Sequence, residues 1–332
     1  MTFVVNGADW NFNGLTVGRA EELIEHALEL VEAIARLGER AQIGDDFHTR
    51  PMYETLTLWE LFSDTSSLPL QRELSQELAG WLTSAPLYAD SDHWPDGFDD
   101  TLISINNAEP AVNQDVAWVH YSILAGIPAA TVALGDTRVV PTRTATGTAH
   151  VHFLCSEAGL KYFWRDMIVF EGDSLESLLR HASHAYPELY FVDGVIGDAN
   201  HLSGGYLASR YRIRTALETL NDYGYWAFTV PPPAIQPSDS VLPDEHSSPT
   251  HQLIEHRFAA FGLTASPEKP NVRIDRICRE AREIVLGGRT LYCEWHVKVE
   301  LHRNRIHFHG PVAESGNKVV IGMIAEHLPL PT

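Results

Sequence analysis

A chain of 332 residues is long enough for about two domains, and with 44 % apolar and 20 % charged residues it is neither disordered nor of low complexity. Forty-four acidic residues against 24 basic ones give a net charge of −20 with histidine neutral. That excludes a surface coating nucleic acid or an anionic membrane as a whole, and leaves room for a local basic or His-rich site.

The first twenty residues lack a basic stretch followed by an apolar one, so no secretory signal is expected. Residues 17–40 form the first expected helix: Ile24, Ala27, Leu28, Val31, Ile34 and Ala35 recur at helical spacing, with Glu21, Glu22, Glu25, Glu29 and Glu32 between them. Residues 70–84, carrying Leu74, Leu78, Trp81 and Leu82, predict a second. The acidic, turn-rich stretch 89–100 reads as a solvated loop, because its aspartates do not fall at calcium-loop spacing. The longest apolar run, 116–134, contains His120, Ser122, Pro128 and Thr131. A membrane span of about 20 residues would not carry that load at its centre. A buried helix broken near Pro128, in a cytoplasmic protein without membrane contact, is the expectation.

Residues 149–155 and 161–170 read as short strands. Asp173 to Glu176 has the form of a helix-start box. The helix it opens bears His181 and His184 one turn apart, a spacing that can bind metal but usually does not, and Asp193, Asp198 and His201 follow within 21 residues. A strand at 189–192, a helix over 207–220 closed by 221–224, and a strand at 225–230 complete this part. The stretch 231–248 holds Pro231, Pro232, Pro233, Pro237 and Pro243 and reads as a linker. The domain reading is therefore an acidic mixed α/β part over 1–230, the linker 231–248, and a small domain over 249–332, in the α+β class. From Pro270 onward nine basic and seven acidic residues give +2, leaving 15 basic and 37 acidic residues, −22, before it.

Two helices are expected in the last domain, 249–262 and 272–286, the second stopped by Gly287 and Gly288. The period then changes to two: Leu291, Cys293, Trp295, Val297 and Val299 alternate with Tyr292, Glu294, His296, Lys298 and Glu300. In the next strand Ile306 and Phe308 face one way and Arg305, His307 and His309 the other. A third, apolar strand follows, with His327 at its exit. Five of the 17 histidines, His302 among them, fall in this stretch. One antiparallel sheet packed on the two helices would gather His296, Lys298, Arg305, His307 and His309 on one face. Such a face suits a phosphodiester: cations hold the phosphate and the charge growing on it, while an imidazole titrating near neutrality moves the proton.

Two helices, three antiparallel strands, a basic sheet face and a histidine just past the last strand resemble the RelE/ParE toxin superfamily over about 249–332. The strings EWHVKV, RIHF and VVIGMIAEHLP carry the resemblance. It implies a small sheet packed on helices and cleavage of messenger RNA on the ribosome, without metal or cofactor, by attack of a ribose 2′-OH on its own phosphate. Lys298 would contact the phosphate, Arg305 stabilise the transition state, and His327 act as general acid or base. His296, His307 and His309 would line the binding face.

Two other readings compete. The histidines, as His307 with His309 and a third ligand His296, can serve a metal-dependent hydrolase, whereas Cys293 paired with His296 would need a bulge. Alternatively the chain is a non-catalytic interaction protein whose acidic part binds basic partners or imitates nucleic acid. In the first reading that acidic part would restrain the tail by presenting carboxylates to its cationic face.

Overall fold

Helices and strands are mixed along the whole chain, in keeping with the α+β class. The computed structural model describes residues 1–62, 68–91, 94–239, 247–300 and 303–331. His302 and residues 240–246 of the Pro-rich stretch lie outside the described residues. Two units divide the chain, Met1–Phe163 and Trp164–Thr332.

The first unit contains β1 (Thr2–Val5), α1 (Val17–Arg36), β2 (Ala41–Gln42), a hairpin of β3 (Pro51–Tyr53) and β4 (Leu56–Thr57), α2 (Leu58–Leu61) and α3 (Arg72–Ser84). Then follow β5 (Leu102–Ile105), β6 (Ala111–Val112), α4 (Gln114–Leu124), β7 (Ala129–Val132), β8 (Arg138–Arg143) and β9 (Thr148–Leu154). Seven strands form one sheet in the order β2-β1-β7-β9-β8-β5-β6, parallel among the first four and antiparallel beyond. The expected first helix is present, with Thr16 accepting from the Arg19 N–H at 3.3 Å as its cap. The run 116–134 is two elements, not one broken helix. Val116 to Ser122 are all buried in α4 and Ala129 to Val132 all buried in β7. A parallel strand covered on both faces is as continuously apolar as a buried helix, so periodicity does not separate them.

The second unit runs from α5 (Glu157–Phe170), which spans the division, through α6 (Leu175–Ala185), β10 (Leu189–Phe191), α7 (Gly205–Thr229) and α8 (His251–Ala260). It continues with β11 (Ala265–Pro267), α9 (Pro270–Ile274), α10 (Arg276–Glu280), β12 (Glu283–Leu286), β13 (Arg289–Tyr292), β14 (Trp295–Glu300), β15 (Arg303–Val312) and β16 (Lys318–Ala325). The strands expected near the C-terminus are the centre of a five-stranded sheet, β10-β16-β15-β14-β11. They are antiparallel to one another, and β10 adds in parallel. Their apolar faces pack on α7 and α8: the Phe228 ring lies 5.5 Å from Trp295 and 6.2 Å from Phe308, and Phe258 lies 6.1 Å from Phe308.

Several expectations differ from this structure. Residues 161–170 are helical, not a strand, because Leu160, Phe163, Trp164, Met167 and Ile168 are buried at helical spacing. The cap of α6 is Ser174 with Ser177, while Asp173 instead accepts from the Tyr206 hydroxyl at 3.1 Å. Helix α7 does not stop at 221–224 and absorbs the expected strand 225–230. Asn221 is buried, and its Oδ1 accepts from the Glu188 N–H at 2.8 Å rather than ending the helix. Gly224 admits the sheet: a Cβ there would stand 2.7 Å from Cγ2 of Val319. The expected helix 272–286 yields only α9 and α10, and Ile284 to Leu286 belong to a hairpin with β13. Gly287 and Gly288 both have positive φ, as a two-residue hairpin turn requires.

The Pro-rich stretch is not where the units divide. Arg257, fully buried on α8, donates to the carbonyls of Ala227, Val230, Pro231 and Ala234 at 2.8–3.2 Å, and its guanidinium lies 4.8 Å from the Trp226 ring. One side chain thus holds the end of α7 and residues 231–234 onto α8. The charge divides accordingly: residues 1–163 hold 23 acidic and eight basic residues, −15, and residues 164–332 hold 21 and 16, −5. Among the described residues no helix is long and apolar enough to cross a membrane.

Candidate functional site

The polar face of the five-stranded sheet forms the back of a pocket of about 410 Å³. Lys298 on β14 stands directly opposite Arg305 on β15, and His296 directly opposite His307, so all four share a face. Lys298, Arg305, His296 and His327 line the pocket together with Glu268, Lys269 and Arg282. The three residues expected to carry catalysis therefore converge on one cavity. His307 does not line it. It is 1 % exposed and lies beneath, its ring 5.6 Å from that of His296. His309 lies beyond the last pairing of β14 and β15, opposite Val320, and does not reach the pocket; its Nδ1 is 2.7 Å from the Gly310 carbonyl.

Three groups absent from the sequence reading complete the site. Glu268 follows β11 directly and is fixed by its N–H bond to the Glu294 carbonyl at 2.7 Å. Its Oε1 accepts from Nε of the buried Arg282 at 2.8 Å and stands 3.4 Å from Nδ1 of both His296 and His307. Arg282 also donates to the carbonyls of Cys278 and Pro329, at 2.8 and 3.1 Å, tying the chain after His327 to the pocket. Lys269 starts α9 beside Glu268. No periodicity marks Glu268: it sits in a short link between a three-residue strand and a five-residue helix, and only β11 pairing with β14 delivers it.

The electrostatics are uneven. Burial alone would raise the Glu268 carboxyl, but His296 and Arg282 outweigh it and hold it at about 2. Burial pushes the His307 imidazole down to about 3 against the pull of Glu268. Among the described residues the pocket wall carries four cations (Lys269, Arg282, Lys298, Arg305) and one carboxylate, already bonded to Arg282. NH1 of Arg305 is buried with no hydrogen-bond partner. Such a wall in a chain of net charge −20 calls for an anion.

The other expected metal ligands do not assemble. Cys293 is buried in the link between β13 and β14, outside the β14–β15 pairing, and is not part of the grouping around His296. His181 meets Glu171 at 3.0 Å, and His201 is 3.9 Å from Asp198 on the surface. Among the described residues the grouping of three potential ligands is Glu268, His296 and His307. Comparison with protein-family models, with curated proteins and with solved structures finds no match to this chain.

Proposed function

We propose that the pocket on the second unit binds an RNA phosphodiester and cleaves it. The observation that carries this is the meeting of Lys298, Arg305 and His327, from two strands and the segment after a third, on one cationic cavity. Lys298 and Arg305 hold the nonbridging oxygens and neutralise the charge that grows on them as the ribose 2′-oxygen attacks phosphorus. His327 moves a proton in that step, as general acid to the departing 5′-oxygen or as base on the 2′-hydroxyl. The products are a 2′,3′-cyclic phosphate and a free 5′-hydroxyl. The RelE-like character of the sheet, the ribosome as the place where RNA is presented, and regulation by the acidic N-terminal part belong to the same proposal.

The test is incubation of the full chain with an RNA oligonucleotide, alone and on programmed ribosomes. Cleavage yielding those end groups, prevented by a 2′-deoxy substitution at the cut site, is the expected result. Cleavage that persists in Arg305→Ala and His327→Ala, or no cleavage in either setting, overturns the reading.

A further inference from the structure

We propose that Glu268, His296 and His307 form a binding site for one divalent transition-metal ion, zinc by preference, under the back wall of the pocket. The inference stands apart from RNA cleavage, since the ion takes no part in the proton transfers assigned above and its binding is measured without RNA.

The spacing is the first argument. Nδ1 of His296 and Nδ1 of His307 each lie 3.4 Å from Oε1 of Glu268, and neither nitrogen has a hydrogen-bond partner. These contacts are too long for good hydrogen bonds. They match the edge of a tetrahedron: two ligands each about 2.0–2.1 Å from zinc stand about 3.4 Å apart. The potential ligand atoms of the three residues all lie within 4.8 Å of one another.

Burial is the second argument. His307 is 1 % exposed, and both of its ring nitrogens are unpartnered. A buried imidazole with neither nitrogen satisfied is a group lacking its ligand, because buried polar atoms are otherwise almost always bonded. It lies beside a second imidazole whose Nδ1 shares the deficit, and beside a carboxylate bonded to Arg282.

Preorganisation is the third. His296 and His307 are register partners on adjacent strands, and Glu268 is fixed by its backbone bond to Glu294. Arg282 donates to the same Oε1 and orients the carboxylate, as the hydrogen-bonded neighbours of metal ligands do. Two imidazoles and one carboxylate favour zinc and its first-row neighbours over magnesium or calcium, which take oxygen ligands. Glu268 and His296 line the pocket while His307 lies behind it, so the remaining coordination position faces the cavity.

The experiment uses the full chain, treated with chelator, desalted and titrated with zinc. Bound metal is counted by elemental analysis, and cobalt substitution is followed by visible absorption. One ion per chain, a tetrahedral cobalt spectrum and a zinc-dependent rise in Tm are expected. His296→Asn and His307→Asn each weaken zinc by more than about a hundredfold, while His309→Asn leaves it unchanged. His296, at the cavity edge, serves where the fully buried His307 variant does not fold. Absence of zinc binding at micromolar concentration, or stoichiometry and affinity retained in His296→Asn, overturns the proposal.

Discussion

Lys298 and Arg305 face each other across the β14–β15 ladder, two like charges at directly opposed positions. Such a pair destabilises a sheet by a few tenths of a kcal/mol up to about 1 kcal/mol. Among the described residues no carboxylate pairs with either: Glu300 accepts from the Ser209 hydroxyl and stands 3.6 Å from Arg303, and Glu294 bonds Arg273. The arrangement costs stability, which a bound anion would return. Lys298→Thr is therefore expected to raise unfolding free energy by about 0.5 kcal/mol, while lowering RNA cleavage by about a hundredfold or more. Urea melts and single-turnover cleavage on the same preparation check both, and inorganic phosphate should raise the Tm of the natural chain more than that of the variant.

Arg257 is buried with no carboxylate partner among the described residues, its charge dispersed over four carbonyls. Arg257→Ala leaves those carbonyls unpaired and opens a void beside Trp226, so a loss of about 3 kcal/mol is expected. Denaturant unfolding followed by tryptophan fluorescence measures it.

Gly224 sets two effects against each other. Alanine gains about 1 kcal/mol of helix propensity there, but its Cβ would stand 2.7 Å from Val319, and overpacking costs about 1–3 kcal/mol. Gly224→Ala is expected to destabilise by about 1 kcal/mol, and Val319→Ala in the same chain to recover part of the loss. A double-mutant cycle by chemical denaturation gives the coupling.

His120 gives the first unit a pH dependence of known sign. It is fully buried, with its two ring nitrogens at Thr142 and Thr144, 2.8 and 3.0 Å away, and burial lowers its pKa below the usual 6.5. The unfolded chain accepts a proton near pH 6.5 that the folded one refuses. Stability is thus full above that value and falls as pH drops through and below it. His120→Gln should flatten this slope between pH 7 and 5 in thermal melts.

Much of the site was legible in the sequence because residues 295–300 and 305–309 alternate in kind: Trp295, Val297, Val299, Ile306 and Phe308 are all buried on one face, and the polar residues between them take the other. The failures share a cause. Gly224 and Gly287 look alike in sequence as helix stops, yet one serves close packing and the other a hairpin turn. Asn221 looks like a terminator and is a buried acceptor. Glu268 bears no pattern at all, since its role comes from a pairing between residues about thirty positions apart. Those distinctions live in tertiary contacts, which no local period encodes.

Arg282 joins two things that the pocket would otherwise keep apart. The same guanidinium that steadies Glu268 also holds the Pro329 carbonyl, so the segment after His327 and the carboxylate, both in the cavity wall, share one anchor. Removing that guanidinium would therefore free both at once, the carboxylate from its donor and the C-terminal segment from its tether.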